Sequence, residues 1–331
     1  MTDSRTQPAE QPAGASVGLV AMVAAIVAFS LSTPLVKWAG VTGVVLAFWR
    51  MWLSVGTWWL TLAMLRRRAR GTVGGIDWPT RRTWKLVAPA GLLFGMNISL
   101  LFTAVTRTSI AHVEFIATLS PLTVVPAGAL FFGERPNWSA LRFGAISLVG
   151  VAIVLFFGPT SGSASVGGDL IMLLVLCSWT GYLIFTKRAR AAGVDTVSFM
   201  ACMMPTGLIT AVPMALLIAG DGVVTDMTGR GWIIVVVLAL LTGMVAHGCI
   251  AFAQQHLPIA TITVMQVAQP ALAVLFAFVI LAEEVRALQV VGMALVIVGI
   301  ALFTRTAQRH RLTPTSAPEP KPKPKPKVNT T

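Results

Sequence analysis

Charge is what this chain is short of. Lys, Arg, Asp and Glu together make up 11% of its 331 residues, against roughly 25% in a soluble domain. A soluble fold of this length would bury a large core, but it would need a charged skin that so few residues cannot supply. Carboxylates are scarcer still: 12 Asp and Glu stand against 25 Lys and Arg, for a net charge of +13. That excess does not mark a nucleic-acid binder, because the basic residues lie between apolar runs and in a C-terminal tail, not along one folded face. Cysteine is nearly absent. Cys177, Cys202 and Cys249 sit singly inside apolar runs with no CxxC spacing, so they read as small hydrophobic residues and neither a disulfide nor a metal site is expected. GxSxG, HExxH and Walker motifs are missing, and the four histidines have no ligand spacing. No enzyme, no cofactor and no nucleotide-driven pump is therefore expected. The polar, Pro-rich start lacks the pattern of a signal peptide, so the first apolar run is expected to stay as a span.

What is present is apolar sequence, at a mean hydropathy of +0.80. A bilayer core of about 30 Å takes roughly twenty apolar residues as helix. Such runs occur at about 17–38, 41–65, 86–106, 110–132, 138–158, 168–188, 196–219, 231–253, 259–281 and 287–304. The expected fold is an all-α integral membrane protein of ten transmembrane helices. Segment 66–85 carries Arg66, Arg67, Arg68, Arg70, Arg81, Arg82 and Lys85 against Asp77, and segment 187–195 carries Lys187, Arg188 and Arg190 against Asp195. With ten spans and a cytoplasmic N-terminus, both loops and the basic C-terminal tail fall on the cytoplasmic side of an inner (plasma) membrane. Trp78, Trp84, Trp138 and Trp232 fall at span ends, where indoles settle among headgroups. The tail, residues 305–331, ends SAPEPKPKPKPKVNTT; it reads as a solvated, extended segment, with contact to anionic headgroups as the other reading.

Two stretches share a pattern. ATLSPLTVVPAGALFFGE (117–134) and QVAQPALAVLFAFVILAE (266–283) are each an apolar run with a proline near its start and a glutamate at its end. Pro121 and Pro270 lie 149 residues apart, as do Gly150 and Gly299, and Lys37 and Lys187 lie 150 apart. The chain therefore reads as a polar segment 1–16, a five-helix repeat 17–158, a second five-helix repeat 168–304, and the tail. Because five is odd, the second repeat crosses the membrane in the opposite sense, and interrupted helices of inverted repeats meet near the midplane. A proline inside a span frees the carbonyl four residues earlier, so Pro121 and Pro270 are the expected hinges.

The stretch TSIAHVEFIATLSPLTVVPAGALFFGERPNWSALRFGAISLVGVAIVL resembles the signature end of an EamA-type repeat of the drug/metabolite transporter superfamily. ATITVMQVAQPALAVLFAFVILAEEVRALQVVGMALVIVGIAL resembles the same part of a second repeat. The resemblance spans most of residues 17–304. It implies ten helices, alternating access, and small metabolites or amino acids as cargo, often exported with proton coupling. His112 and Glu114 depart from the small residues that many members carry there.

Ionisable and polar residues inside spans are functional candidates. Arg50 lies about 13 Å into its span and has three readings: a clamp on a substrate carboxylate, an ion pair with Glu114, or snorkelling. Trp49 and Trp52 are expected to wall a pocket beside it. Glu114 shares a helix face with Thr118 and Pro121 and is either a proton carrier or a solvated surface group. His247, with Gln254 on its face, reads as a proton relay, as a cargo-bonding group or as a satisfied interior histidine. Thr263, Gln266 and Gln269 form a polar stripe, and Ser120 stands beside Pro121; Gln266, Gln269 and Ser120 are placed at the binding site. Asn97 is expected to act as packing glue, Lys37 to snorkel, and Glu134, Glu283 and Glu284 to act as interfacial caps. The expected function is secondary export of small metabolites, amino acids first, with a small-molecule substrate, protons and membrane lipids as partners; the sequence leaves open whether the chain acts alone or as a homodimer. The alternatives are a lipophilic-cation exporter, against which Arg50 counts, and a non-transporting scaffold.

Overall fold

Polypeptide in hydrocarbon has no water to bond its backbone, so it satisfies itself as helix. The computed structural model describes residues 13–68, 78–108, 110–134, 138–157, 165–281 and 286–312, and among them there is no strand. Glu283, Glu284 and the tail beyond Leu312 lie outside the described residues.

Helix α1 (Ala13–Ser30) passes through Leu31 into α2 (Ser32–Ala39), and α3 (Gly43–Arg68) and α4 (Arg81–Arg107) follow. Then come α5 (Ile110–Thr118), α6 (Ser120–Phe132), α7 (Trp138–Phe156), α8 (Val166–Ala191) and α9 (Thr196–Ala219). After the single turn α10 (Gly222–Thr225), α11 (Gly229–Leu238) runs through a π-helical stretch, Ala239–Ala246, into α12 (His247–His256). The chain ends in α13 (Ile259–Gln266), α14 (Gln269–Leu281) and α15 (Ala287–Leu312). Among the described residues, seven helical stretches are long and apolar enough to cross a membrane: Ala15–Ala39, Arg81–Arg107, Val113–Phe132, Val166–Ala191, Thr196–Ala219, Gly229–His256 and Ile259–Phe276. Helix α3 matches them in length, but Arg50 and its tryptophans lower its hydropathy. Shorter apolar helices cover Leu141–Phe156 and Ala287–Phe303. Outward faces are apolar too: Leu130 and Leu217 are 79% and 85% exposed, a surface that suits lipid as its solvent.

Both stretches singled out by their prolines are interrupted. Helix α5 gives way to α6 at Leu119, and α13 to α14 at Val267 and Ala268. Pro121 and Pro270 are each the second residue of the new helix. Neither can donate to the carbonyl four residues back, Ala117 in one case and Gln266 in the other. The chain tightens at each break instead: Leu119 N–H bonds Ile116 O at 3.1 Å, and Val267 N–H bonds Val264 O at 3.1 Å, the i→i−3 pattern of a 3₁₀ turn.

Small residues decide where helices touch. Helix α4 packs along α8 and α9, and α9 also packs on α3. At Gly91 and Gly95 of α4, an added Cβ would collide with Thr206 and with the Gly207 carbonyl of α9. Helices α7 and α15 meet along their lengths. There a Cβ at Gly150 would stand 2.7 Å from Gly292 O, and one at Gly292 would stand 2.7 Å from Gly150 O. In lipid, where burial of apolar side chains does not drive association, such backbone approach is a main source of helix–helix attraction.

Candidate functional site

Between these packed pairs lies a cavity of about 130 Å³, many times the ~10–15 Å³ that one water takes by this measure. Its wall is drawn from both parts of the chain: Ser30, Thr33, Arg50, Asn97, Glu114, Thr118 and Ser120 on one side, and Trp179, His247, Gln266, Gln269 and Pro270 on the other.

Helix α3 presents Arg50, Ser54 and Trp58 at intervals of four, hence on one face. All three meet the π-helical stretch. Arg50 Nε donates to Leu238 O at 3.4 Å, and Trp58 Nε1 donates to Gly243 O at 2.9 Å. Ser54 Oγ fills the place a Gly243 side chain would take. The π register, in which His247 N–H bonds Thr242 O five residues back, shifts the carbonyl ladder here. The Leu238 carbonyl is met by side chains, accepting from Thr242 Oγ1 at 2.8 Å as well as from Arg50. Single-turn π segments recur at functional sites; nothing in residues 239–246 announces one beyond the Thr242-Gly243 pair.

Arg50 is 1% exposed, its guanidinium carbon lies 5.7 Å from the centroid of the Phe102 ring, and its Nη1 has no hydrogen-bond partner. Glu114 is not its counter-ion. Glu114 Oε1 accepts from Thr33 Oγ1 at 2.7 Å, so of the three readings of Arg50 the ion pair with Glu114 fails, and burial rules out snorkelling. Gln266 is buried at the end of α13 with its Oε1 unpartnered. Gln269 offers its carbonyl to Ser30 Oγ at 3.1 Å. His247 is enclosed by the rings of Phe29, Phe94, Trp179 and Tyr182 at centroid distances of 4.8, 4.5, 6.1 and 5.9 Å, with Tyr182 Oη 3.4 Å from Nδ1.

Seven residues placed at the site or its hinges from the sequence thus line one cavity: Arg50, Glu114, Ser120, His247, Gln266, Gln269 and Pro270. Trp49 and Trp52 do not. Trp49 donates to Val223 O at 2.8 Å and packs on Trp232, and Trp52 faces outward at 48% exposed. The reason is rotational: residues one and two places from Arg50 lie about 100° and 200° around the helix from it. Pro121 sits just behind Ser120, off the cavity wall. Gln254 is also elsewhere, its Nε2 donating to Leu183 O at 3.3 Å. Asn97 is both glue and wall, since its Nδ2 donates to Val175 O (2.8 Å) and Ser178 Oγ (2.9 Å) of α8. Sequence reasoning missed Thr33, Phe29 and Trp179; the only signal was Thr33's place one residue before Pro34.

One end of this region is clasped. Lys187 Nζ donates to Gln254 O and Leu257 O, both at 2.9 Å, and lies 3.7 Å from Glu134 Oε1. Glu134 in turn accepts from Ile259 N–H at 3.1 Å, so a cation meets the last carbonyls of α12 and a carboxylate caps the start of α13, each with the favourable polarity.

Residues 16–156 and 166–305 each match the model of the EamA-like transporter family. The chain belongs to that family. This places it in the drug/metabolite transporter superfamily, as a multi-pass membrane transporter of two EamA repeats. An uncharacterized transporter of Clostridium kluyveri is 23% identical over 214 residues, 63% of this chain and 68% of the relative. A protein chain of known crystal structure shares the fold at a TM-score of 0.65 and 21% identity, over 91% of this chain and 99% of its own. EamA transporters are not enzymes, and among the described residues no group of three or more His, Cys, Asp or Glu stands close enough to hold a metal ion.

Proposed function

We propose that this EamA transporter exports small zwitterionic metabolites, amino acids first among them, by alternating access. The observation that carries the reading is a pair of buried polar atoms of opposite kind on two residues that line the cavity, Arg50 Nη1 as donor and Gln266 Oε1 as acceptor, neither bonded within the chain. Leaving a buried polar group unbonded costs about 1–3 kcal/mol, and a solute with a carboxylate and an ammonium relieves both. In this reading Arg50 holds the carboxylate, Gln266, Gln269 and Ser120 face the ammonium, and Phe29 and Trp179 flank the apolar part. Glu114, bonded to a neutral hydroxyl and not to a cation, and His247 are the groups placed to take up a proton.

The same reading takes the architecture as ten spans in two inverted five-helix halves, with both termini cytoplasmic in the inner membrane. Matching interruptions before Pro121 and Pro270 support it, because each half then contributes one broken helix to the cavity. Reconstituted protein is expected to take up labelled amino acids, faster with an imposed proton gradient. Equilibration indifferent to the gradient would remove Glu114 and His247 as coupling groups. Competition by lipophilic cations and not by amino acids would overturn the substrate class.

A further inference from the structure

A second cluster lies far along α3 from the cavity, where that helix ends and α4 begins. Trp59, Trp78 and Trp84 form a shelf of near-parallel rings: Trp59 lies 5.9 Å from Trp78 and 6.4 Å from Trp84, each at an interplanar angle of 28°. The Arg66 guanidinium sits over Trp78 at 4.6 Å from its centroid, and its Nη1 is buried without a hydrogen-bond partner. Arg67, Arg68, Arg81, Arg82 and Lys85 are exposed around it, and neither α3 nor α4 contains a carboxylate. Thr80 caps α4, its Oγ1 taking the Thr83 amide and its carbonyl the Trp84 amide. The first amides of α4 are left as donors at the positive end of the helix.

A topology signal needs only the charge count, and solvated arginines would serve. Arg66 is half-buried, and its Nη1 is shut off from solvent. It is held by an indole with one N–H end unbonded, which is how a bound anion is oriented and not how a loop charge is displayed. The outward face of α3 below it runs Trp52, Gly56, Leu60, Met64 and Arg68, all exposed and four residues apart. Leu60 to Arg68 spans about 12 Å of helix, within the ~15 Å depth of one leaflet. Nothing stands within 4 Å of where a Gly56 side chain would be, so the stripe is shallow at that point.

We propose that this end of α3 and α4 binds an anionic phospholipid. Its phosphate is held by Arg66 with Arg81, Arg82 and the α4 N-terminus, its glycerol region lies on the tryptophan shelf, and one acyl chain follows Met64 and Leu60. Charge complementarity selects an anionic headgroup over a zwitterionic one.

The test is native mass spectrometry of the detergent-purified full chain titrated with phosphatidylglycerol or with phosphatidylcholine of the same acyl chains. One phosphatidylglycerol per chain is expected to bind in preference. Arg66→Gln with Arg81→Gln is expected to weaken it by at least about tenfold, at about fivefold per basic residue. Arg230→Gln, at a separate cation–π pair with Trp38, is expected to change nothing. Trp78→Leu keeps every charge and is expected to weaken retention by about threefold, which keeps the idea testable should the double variant fold poorly. Equal binding of both lipids overturns the proposal, as does phosphatidylglycerol retention unchanged in folded Arg66 and Trp78 variants. Displacement of the lipid by millimolar inorganic phosphate also overturns it, because the site would then serve a free anion.

Discussion

The α7–α15 seam and the central cavity are both places where the two parts of the chain meet, and they are built in opposite ways. At the seam, Gly150 and Gly292 let backbone touch backbone. At the cavity, helices α5–α6 and α13–α14 break before their prolines, and Arg50, Glu114 and Gln266 occupy the space between. The contrast shows how a membrane chain separates close packing from a cavity. Glycine removes the side chain so that helices close. Proline removes the amide so that a helix cannot continue, and polar groups keep the gap from being filled.

The sharpest way to break this contrast is at the seam. Gly292→Leu puts four carbons where there is no room for one, and it is expected to leave almost no folded protein by size-exclusion chromatography, since overpacking by even a few methylenes costs about 1–3 kcal/mol. Next, Arg50→Ala is expected to lower transport by at least about tenfold, in line with ~1.5–3 kcal/mol for a hydrogen bond to a charged group. Its thermal unfolding is expected to change little, because the Leu238 carbonyl keeps its bond from Thr242. Normal uptake by that variant would take Arg50 out of the site. Glu114→Gln preserves an acceptor for Thr33, so exchange without a gradient is expected to persist while the gain from a proton gradient disappears in the same liposome assay. The smallest effect is expected outside the cavity: Trp52→Leu should alter uptake by less than about twofold, as surface changes away from special features do. A larger loss there would mean that the cavity wall reaches past Arg50.

These outcomes also separate what could be read from residues alone from what could not. The helices, the paired interruptions and the polar wall were legible, because apolar run length, proline and buried charge each carry a direct physical cost in a bilayer. Rotation about a helix was not. Trp49 and Trp52 are neighbours of Arg50 in sequence and face elsewhere in space, one bonded to Val223 and one outward. Partner choice was not legible either: Glu114 and Arg50 have complementary charges, yet Glu114 takes the Thr33 hydroxyl, because which helices adjoin is a matter of three-dimensional packing. The π-helical stretch could not be read from its own residues, and the side chains that bond along it and at its start, Arg50, Ser54 and Trp58, come from α3.

The two unbonded atoms, Arg50 Nη1 and Gln266 Oε1, have a consequence for how this transporter is studied. A solute that bonds both lowers the free energy of the folded protein and leaves the unfolded chain untouched, so heat becomes an assay of cargo. By linkage, a solute at a hundred times its dissociation constant adds about 2.7 kcal/mol to stability. A melting curve taken against a library of candidate solutes is then expected to rank them before any vesicle is made, and Arg50→Ala, which lacks the proposed carboxylate clamp, supplies the baseline.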